Sequence, residues 1–320
     1  MNQQDRQATK LGPFVATLTP EQPIQHKNLT VVPLSDRQHN ELDYVLSADA
    51  IESGMLEVTE VGEQGTVPEL FAVVQGDMNV LLLSGEELVG AKQNRILNTS
   101  ILLPAKSKTA IPVSCVEQGR WRHTSRQFRS GSWSSPSMRS LLTGSVSKSY
   151  RTRGQARSDQ GALWNKVNES IEGSGTVSPT SSMSDIVEQH REMLAGYAGA
   201  LKCPSTARGV IVAIDGRFVA MDVFDKPSTL AKTWDRLILG YAQDAMLYAD
   251  NQAEVAADFS VDSASAMLNR MAGREGSEFP SVGMGQDVRF ESGDVQGQAL
   301  VAQGTCVHLC AFPNEELPLT

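Results

Sequence analysis

The chain has 320 residues, 40% hydrophobic and 20% charged, with a formal net charge of −9. These values exclude a disordered chain, and the length suffices for one large domain or two ordinary ones. No apolar run approaches the roughly 20 residues of a membrane helix, and the polar opening Met1–Gln7 lacks the hydrophobic region of a secretory signal, so a cytoplasmic protein without membrane association is expected.

In chain order, residues 1–28 read as a tail with a lead-in strand at Phe14–Leu18, followed by a strand at Leu29–Leu34. Ser47–Ser53 reads as a short helix stopped by Gly54, and Met55–Val61 as a strand. Leu70–Val74, Asn79–Leu83, Ile96–Leu103 and Ala110–Cys115 are short strands separated by turn residues, the signature of a compact antiparallel β unit, sandwich or barrel-like. Residues 122–150 are serine-rich, and the run Gly131–Pro136 predicts neither helix nor regular strand, so 122–182 is expected to be a mobile basic insertion. Met183, Ile186, Val187, His190, Leu194, Tyr197 and Leu201 recur at helical spacing. Gly209–Ile214 and Phe218–Phe224 form a hairpin across Asp215-Gly216-Arg217. Helices follow after Pro227-Ser228 and near Ser263–Met271. Asp287–Glu291, Gly297–Ala302 and Thr305–Phe312 close the chain as a meander, before a tail at 313–320. Strands on both sides of the helices predict one α+β domain over 29–312, with three or so helices packed on its β unit.

Four cysteines in so long a chain make no disulfide framework, and a reducing compartment fits them better. Cys306, His308 and Cys310 alternate on a predicted strand, with side chains on one face roughly 6.6–6.8 Å apart. That is too far for one zinc ion, so core positions are the better reading, and no metal ligand set is assigned.

The charge is unevenly spread. Thirteen Lys and Arg residues face a single acid, Glu117, between Lys92 and Arg157, leaving the rest of the chain at −21. Such a block is either a footprint for an anion or a segment that packs on the acidic remainder.

Within it, Gly90-Ala-Lys-Gln-Asn-Arg95 joins two predicted strands and Cys115-Val-Glu-Gln-Gly-Arg-Trp121 ends a third, at junctions where scaffolds display binding groups. Gly90 permits close backbone approach or positive φ. Lys92, Gln93, Asn94, Arg95, Gln118 and Arg120 supply donors and amides suited to an anion or a nucleotide edge. Glu117 and Glu87, with Glu86 beside it, are the candidate bases or metal ligands, and Cys115 the candidate nucleophile if cations lower its pKa. Each has a plain counterpart: a solvated Glu86-Glu87 turn, a core Cys115, a packed Trp121, and a structural ion pair of Glu117 with Arg120 or Arg95. Phosphate-binding and dinucleotide glycine loops, a zincin helix and a nucleophile elbow are absent from the sequence.

The stretch 85–95, together with Ile111–Trp121, resembles the ARG and rhodanese-phosphatase-superfamily-associated protein family, a bacterial domain family, with likeness from about Leu29 to Phe312. The family name implies association with ADP-ribosylglycohydrolases, rhodanese domains and phosphatases, hence nucleotide or ADP-ribose metabolism. It implies no catalytic residues, and the cofactor is unknown.

Two expectations follow. The first is a protein that binds or processes an anionic nucleotide-type small molecule at the polar motif, with 122–157 as a lid; Arg95→Ala and Arg120→Ala then abolish binding at nearly unchanged stability. The second is a non-catalytic module whose basic segment docks an acidic partner, RNA or another subunit. The pI near 5.1 favours a small molecule over nucleic acid. Whether the chain is an enzyme, and whether it forms a homo-oligomer, stays open.

Overall fold

The computed structural model describes residues 8–36, 42–62, 65–248 and 259–314. The first seven residues and most of the tail expected at 313–320 lie outside these. Among the described residues, nineteen strands and eight helices form an α+β fold with three sheets. Pairing is antiparallel except for Val45–Leu46 beside Val80–Leu82.

The largest sheet runs from Ala8–Lys10 through Glu275–Pro280, Gln286–Ser292, Val295–Ala302, Thr305–Pro313, Arg217–Phe224 and Ala207–Ile214 to Leu29–Ser35 and Thr19–Pro20, with Ile24–His26 also on Leu29–Ser35. Its central strands Leu29–Ser35, Ala207–Ile214, Arg217–Phe224 and Thr305–Pro313 are buried on both faces, hence their near-continuous apolar runs. One face packs on Arg191–Ala200 and Pro227–Tyr248, the other on Gly12–Val15 and Val261–Ala272.

The second sheet orders Phe128–Trp133, Glu86–Gly90, Arg95–Leu97, Lys108–Cys115, Glu69–Val74 and Leu56–Glu60. It rolls into a half-barrel, its outer strands linked where Gln127 Nε2 donates to Glu57 Oε1 at 2.8 Å. Leu56, Val58, Leu70, Leu88, Leu97, Ile111, Val113 and Phe128 fill the interior, each burial contributing about 1.5–3 kcal/mol. On the outer face, Ile96 packs with Met138, Leu142, Val146 and Val167 of the helices Pro136–Arg153 and Gln160–Gly173.

Several expectations change. Phe14–Leu18 is not a strand; Gly12–Val15 is a short helix with proline in its first turn. The expected strand Ile96–Leu103 is two, Arg95–Leu97 and Ile101–Leu103, in different sheets. Asn98, Thr99 and Ser100 between them are buried, and each hydrogen-bonds to a distant segment. His190 divides the expected helix into Met183–Gln189 and Arg191–Ala200.

The largest correction concerns 122–182. Phe128–Trp133 is an edge strand of the half-barrel, with a bulge between Ser130 and Trp133. Pro136–Arg153 is a regular helix with conventional ends. Ser135 caps it by accepting from Met138 N, Pro136 sits at N1, and Gly154 ends it in the left-handed conformation. Met138, Leu142, Val146 and Tyr150 form its buried stripe, four residues apart. Residues 128–173 are therefore folded into regular elements packed on the half-barrel.

The basic block is also partly consumed inside the chain. Arg139 pairs with Asp222, Arg151 with Glu291, Lys106 with Asp77, and Arg120 with Glu117.

Asp222, fully buried, accepts from Arg139 Nη1 at 2.9 Å and from Nη2, from Tyr241 Oη at 2.6 Å and from His308 Nε2 at 3.1 Å. Burial alone would raise its carboxyl; the Arg139 charge and the bonds from His308 and Arg139 hold it below the ordinary carboxylate range. Burial lowers the His308 pKa. The ring is thus neutral, and its Nδ1 accepts from Ser100 Oγ at 2.7 Å.

Cys310 completes a group of potential metal donors with Asp222 and His308. All three are poor ligands here. The carboxylate already carries four hydrogen bonds, a guanidinium lies against it, and burial pushes the Cys310 thiol up to about 11. Cys306 is elsewhere, because a bulge at Leu300/Val301 breaks strand alternation and packs it with the opposite core cluster. The shared face expected for Cys306, His308 and Cys310 therefore holds only for the last two. All four cysteines are unpaired.

Candidate functional site

Strand pairing sets which motif residues meet. Arg95 lies opposite Cys115 on one side and Leu88 on the other, so its side chain shares the inner face of the half-barrel with them. Ile96 lies opposite Glu87 and Ser114 on the outer face. Glu87 is thereby separated by the sheet from Arg95 and Cys115. The alternation Leu56, Val58, Glu60 brings a third polar side chain inward at the same end.

There Glu60, Lys92, Gln93, Arg95 and Cys115 are all buried, beneath the half-exposed ring of Trp121. Gln93 Oε1 accepts from Arg95 Nη1 at 3.1 Å and from Cys115 Sγ at 3.0 Å. Glu60 Oε1 accepts from Lys92 N at 3.2 Å and lies 3.9 Å from Arg95 Nη2. The Lys92 ammonium and the Arg95 guanidinium lie 5.5 and 5.8 Å from the Trp121 ring centroid, within cation–π range. Three buried polar atoms make no hydrogen bond: Arg95 Nε, Arg95 Nη2 and Glu60 Oε2. Trp121 does not have the packing role expected from its neighbours; it is 49% exposed.

A second group props the motif up. Arg120 donates Nε to Glu117 Oε1 at 2.7 Å and Nη2 to Glu117 Oε2 at 2.6 Å. It also donates to the carbonyls of Ala91, Arg122 and Gly90 and to Asn94 Oδ1. Asn94 Oδ1 also accepts from Gly90 N, and its Nδ2 donates to Ser182 Oγ and Ser184 Oγ. These bonds hold Ala91 at φ 39°, a left-handed conformation unusual for a residue with a Cβ. Gly90 has φ 132°, and a Cβ there would lie 2.5 Å from Ser125 Oγ, so glycine is required.

Burial raises the Glu117 carboxyl, but the bonds from Arg120, Asn94 N and Thr180 outweigh it and leave the pKa lowered. Glu117 is thus an ionised carboxylate with both oxygens occupied, poorly placed as a base. Arg120 and Asn94 are likewise committed to the turn. Burial pushes the Cys115 thiol up to about 11 despite Arg95, so it is a neutral donor and not a poised thiolate. The Gln118 side chain is exposed, and only its carbonyl reaches the group, accepting from Gln93 Nε2 at 3.4 Å.

Glu86 and Glu87 are buried, not a solvated turn. Glu86 accepts from Ser47 Oγ and Leu83 N and pairs with Arg236 at 3.0 Å, a structural set. Glu87 Oε2 accepts from Ser132 Oγ at 2.9 Å, its Oε1 has no partner, and burial pushes its carboxyl up to about 7.

A raised carboxyl pKa means the folded chain holds a proton that the unfolded chain has released. Stability due to this group therefore falls as pH rises from about 4.3 to about 7. Glu87→Gln is expected to flatten that decline, giving a higher Tm than the parent at pH 8 and a similar one at pH 4. Melting curves at both values check it; parallel profiles would contradict the assignment.

The sequence reading missed Glu60, although its place in the Leu56-Glu-Val-Thr-Glu60 alternation signals an inward carboxylate. No helix among the described residues is long and apolar enough to cross a membrane. The model of a family described as the ARG and Rhodanese-Phosphatase-superfamily-associated Protein domain matches residues 17–312. No curated protein and no solved structure matches the chain.

Proposed function

From a chain that belongs to the ARG and Rhodanese-Phosphatase-superfamily-associated Protein domain family, we propose a protein that binds an anionic, nucleotide-type small molecule beneath Trp121. The observation that carries this reading is the unbonded Nε/Nη2 edge of Arg95. The same edge of Arg120 and of Arg289 grips a carboxylate with two bonds. Leaving such donors buried and unpaired costs about 1–3 kcal/mol each, more for a charged group, and a ligand oxyanion in this position removes that cost.

Lys92 brings a second positive charge to the group. The unpartnered Glu60 Oε2 accepts a hydroxyl. An oxyanion next to a hydroxyl is the pattern of a ribose phosphate, and the exposed Trp121 ring offers a stacking surface for a base. ADP-ribose has all three features, in keeping with the family's name. Binding is better supported than turnover, since Cys115 is protonated and Glu117 saturated. Were the ligand processed, Glu60 would be the base. The unpaired thiols fit a reducing, cytoplasmic compartment.

A thermal-shift screen with ADP-ribose, mono- and dinucleotides, sugar phosphates and divalent cations tests this. A ligand at 100 times its Kd adds about 2.7 kcal/mol. Arg95→Gln is expected to abolish the shift, and Trp121→Ala to weaken binding about tenfold, the worth of one stacked base, at unchanged Tm. A shift that persists in Arg95→Gln would remove the site from this group of residues.

A further inference from the structure

Away from the half-barrel, one face of the helix Pro136–Arg153 and the chain that follows it line a cleft of about 530 Å³. That volume suits a small molecule. Ser145, Lys148, Ser149, Thr152 and Arg153 recur at the spacing of one helix face, and Arg157 approaches from the following turn. We propose that this cleft is a phosphate-binding site, separate from the polar group beneath Trp121.

Two observations support it. Lys148, Arg153 and Arg157 are exposed, and none makes an ion pair among the described residues, unlike Arg139 and Arg151 on the same helix. The helix Gln160–Gly173 opens at the cleft, so its N-terminal dipole adds positive potential. The one acid in the lining, Asp159, caps that helix by accepting from Ala162 N at 3.1 Å, and its single charge is outnumbered by the three cations. Cations, hydroxyls and a helix start, with no aromatic ring in the lining, select a phosphate group and not a base.

The test is titration of the full chain with inorganic phosphate at constant ionic strength, with a short single-stranded oligonucleotide as the second probe. Saturable phosphate binding is expected, weakened about tenfold by Arg153→Gln or Arg157→Gln, the worth of one charge-assisted bond. Arg126→Gln, exposed and outside the cleft, and Arg95→Gln should leave it unchanged. Equal losses in Arg126→Gln would mean a diffuse field, and loss in Arg95→Gln would place the anion beneath Trp121. Either result overturns the proposal. So would oligonucleotide binding without phosphate binding, which would point to a macromolecular partner for the basic segment.

Discussion

Asp222→Ala is expected to destabilise the protein by about 3–5 kcal/mol, the cost of removing one member of a buried ion pair. The loss reaches four elements at once. Arg139 comes from the helix Pro136–Arg153, Tyr241 from Pro227–Tyr248, His308 from Thr305–Pro313, and Asp222 itself from Arg217–Phe224. Without the carboxylate, a guanidinium that is 1% exposed keeps its charge in the core with no counter-ion. Both Arg139 and Asp222 are held in their charged forms, Arg139 above its usual pKa and Asp222 below. The sign of the pH effect follows. A carboxyl with a depressed folded pKa contributes stability above its unfolded value of about 3.9, lost as pH falls below it. Chemical denaturation of Asp222→Ala and the parent at pH 7, and of the parent between pH 7 and 2, measures both. A change under about 1 kcal/mol, the level of a surface ion pair, would show that the knot does not support the fold.

Arg120→Ala is the second large effect, and here the structure reverses the sequence expectation. Read as a ligand group, Arg120 should be removable at little cost to stability. In the fold it is 9% exposed and bonds to Glu117, Ala91, Gly90, Arg122 and Asn94. Its loss leaves Glu117, 5% exposed, without its cation, and frees the left-handed turn at Ala91. The expected cost is again about 3–5 kcal/mol, with ligand affinity lost as a consequence of the collapsed turn. Arg120→Lys should recover only part of it, because one ammonium cannot copy a planar fork that bonds both oxygens of Glu117. Arg95→Gln, by contrast, breaks one short bond, to Gln93, and a long 3.9 Å pairing with Glu60, so it should lower Tm less than Arg120→Ala while removing ligand affinity. Comparing the two variants in denaturation and in binding separates support from recognition. If Arg120→Ala binds ligand poorly at parental stability, the roles assigned here are exchanged.

The helix Pro136–Arg153 shows how a clear local signal can be overridden in reading. Ser135-Pro136 opens it, Gly154 closes it, and the four-residue spacing of Met138, Leu142, Val146 and Tyr150 marks its face. Its many serines obscure that pattern, yet serine inside a helix costs only a few tenths of a kcal/mol, less than one buried Leu142 returns. The bulge at Leu300/Val301 is the opposite case. Nothing local to Thr305–Pro313 announces it; the extra residue is taken up in pairing with a neighbouring strand.

What the chain states on its own is therefore local and periodic. The α+β class, the antiparallel pairing, most strand positions, the helices on Leu230–Ala245 and Ser263–Met271, and the two polar junctions at 90–95 and 115–121 follow from side-chain period and turn chemistry. The division of those junctions into roles is not local. Arg95 and Arg120 are the same residue type in similar polar surroundings. One presents an unbonded edge under Trp121 while the other is saturated by Glu117. Only cross-strand register decides that Glu60 and Cys115 join Arg95 while Glu87 faces away, because one step along a strand exchanges its faces. Only burial decides protonation, pushing Glu87 and Cys115 up while bonds hold Glu117 down. The cost of a buried charge depends on what the rest of the fold places beside it.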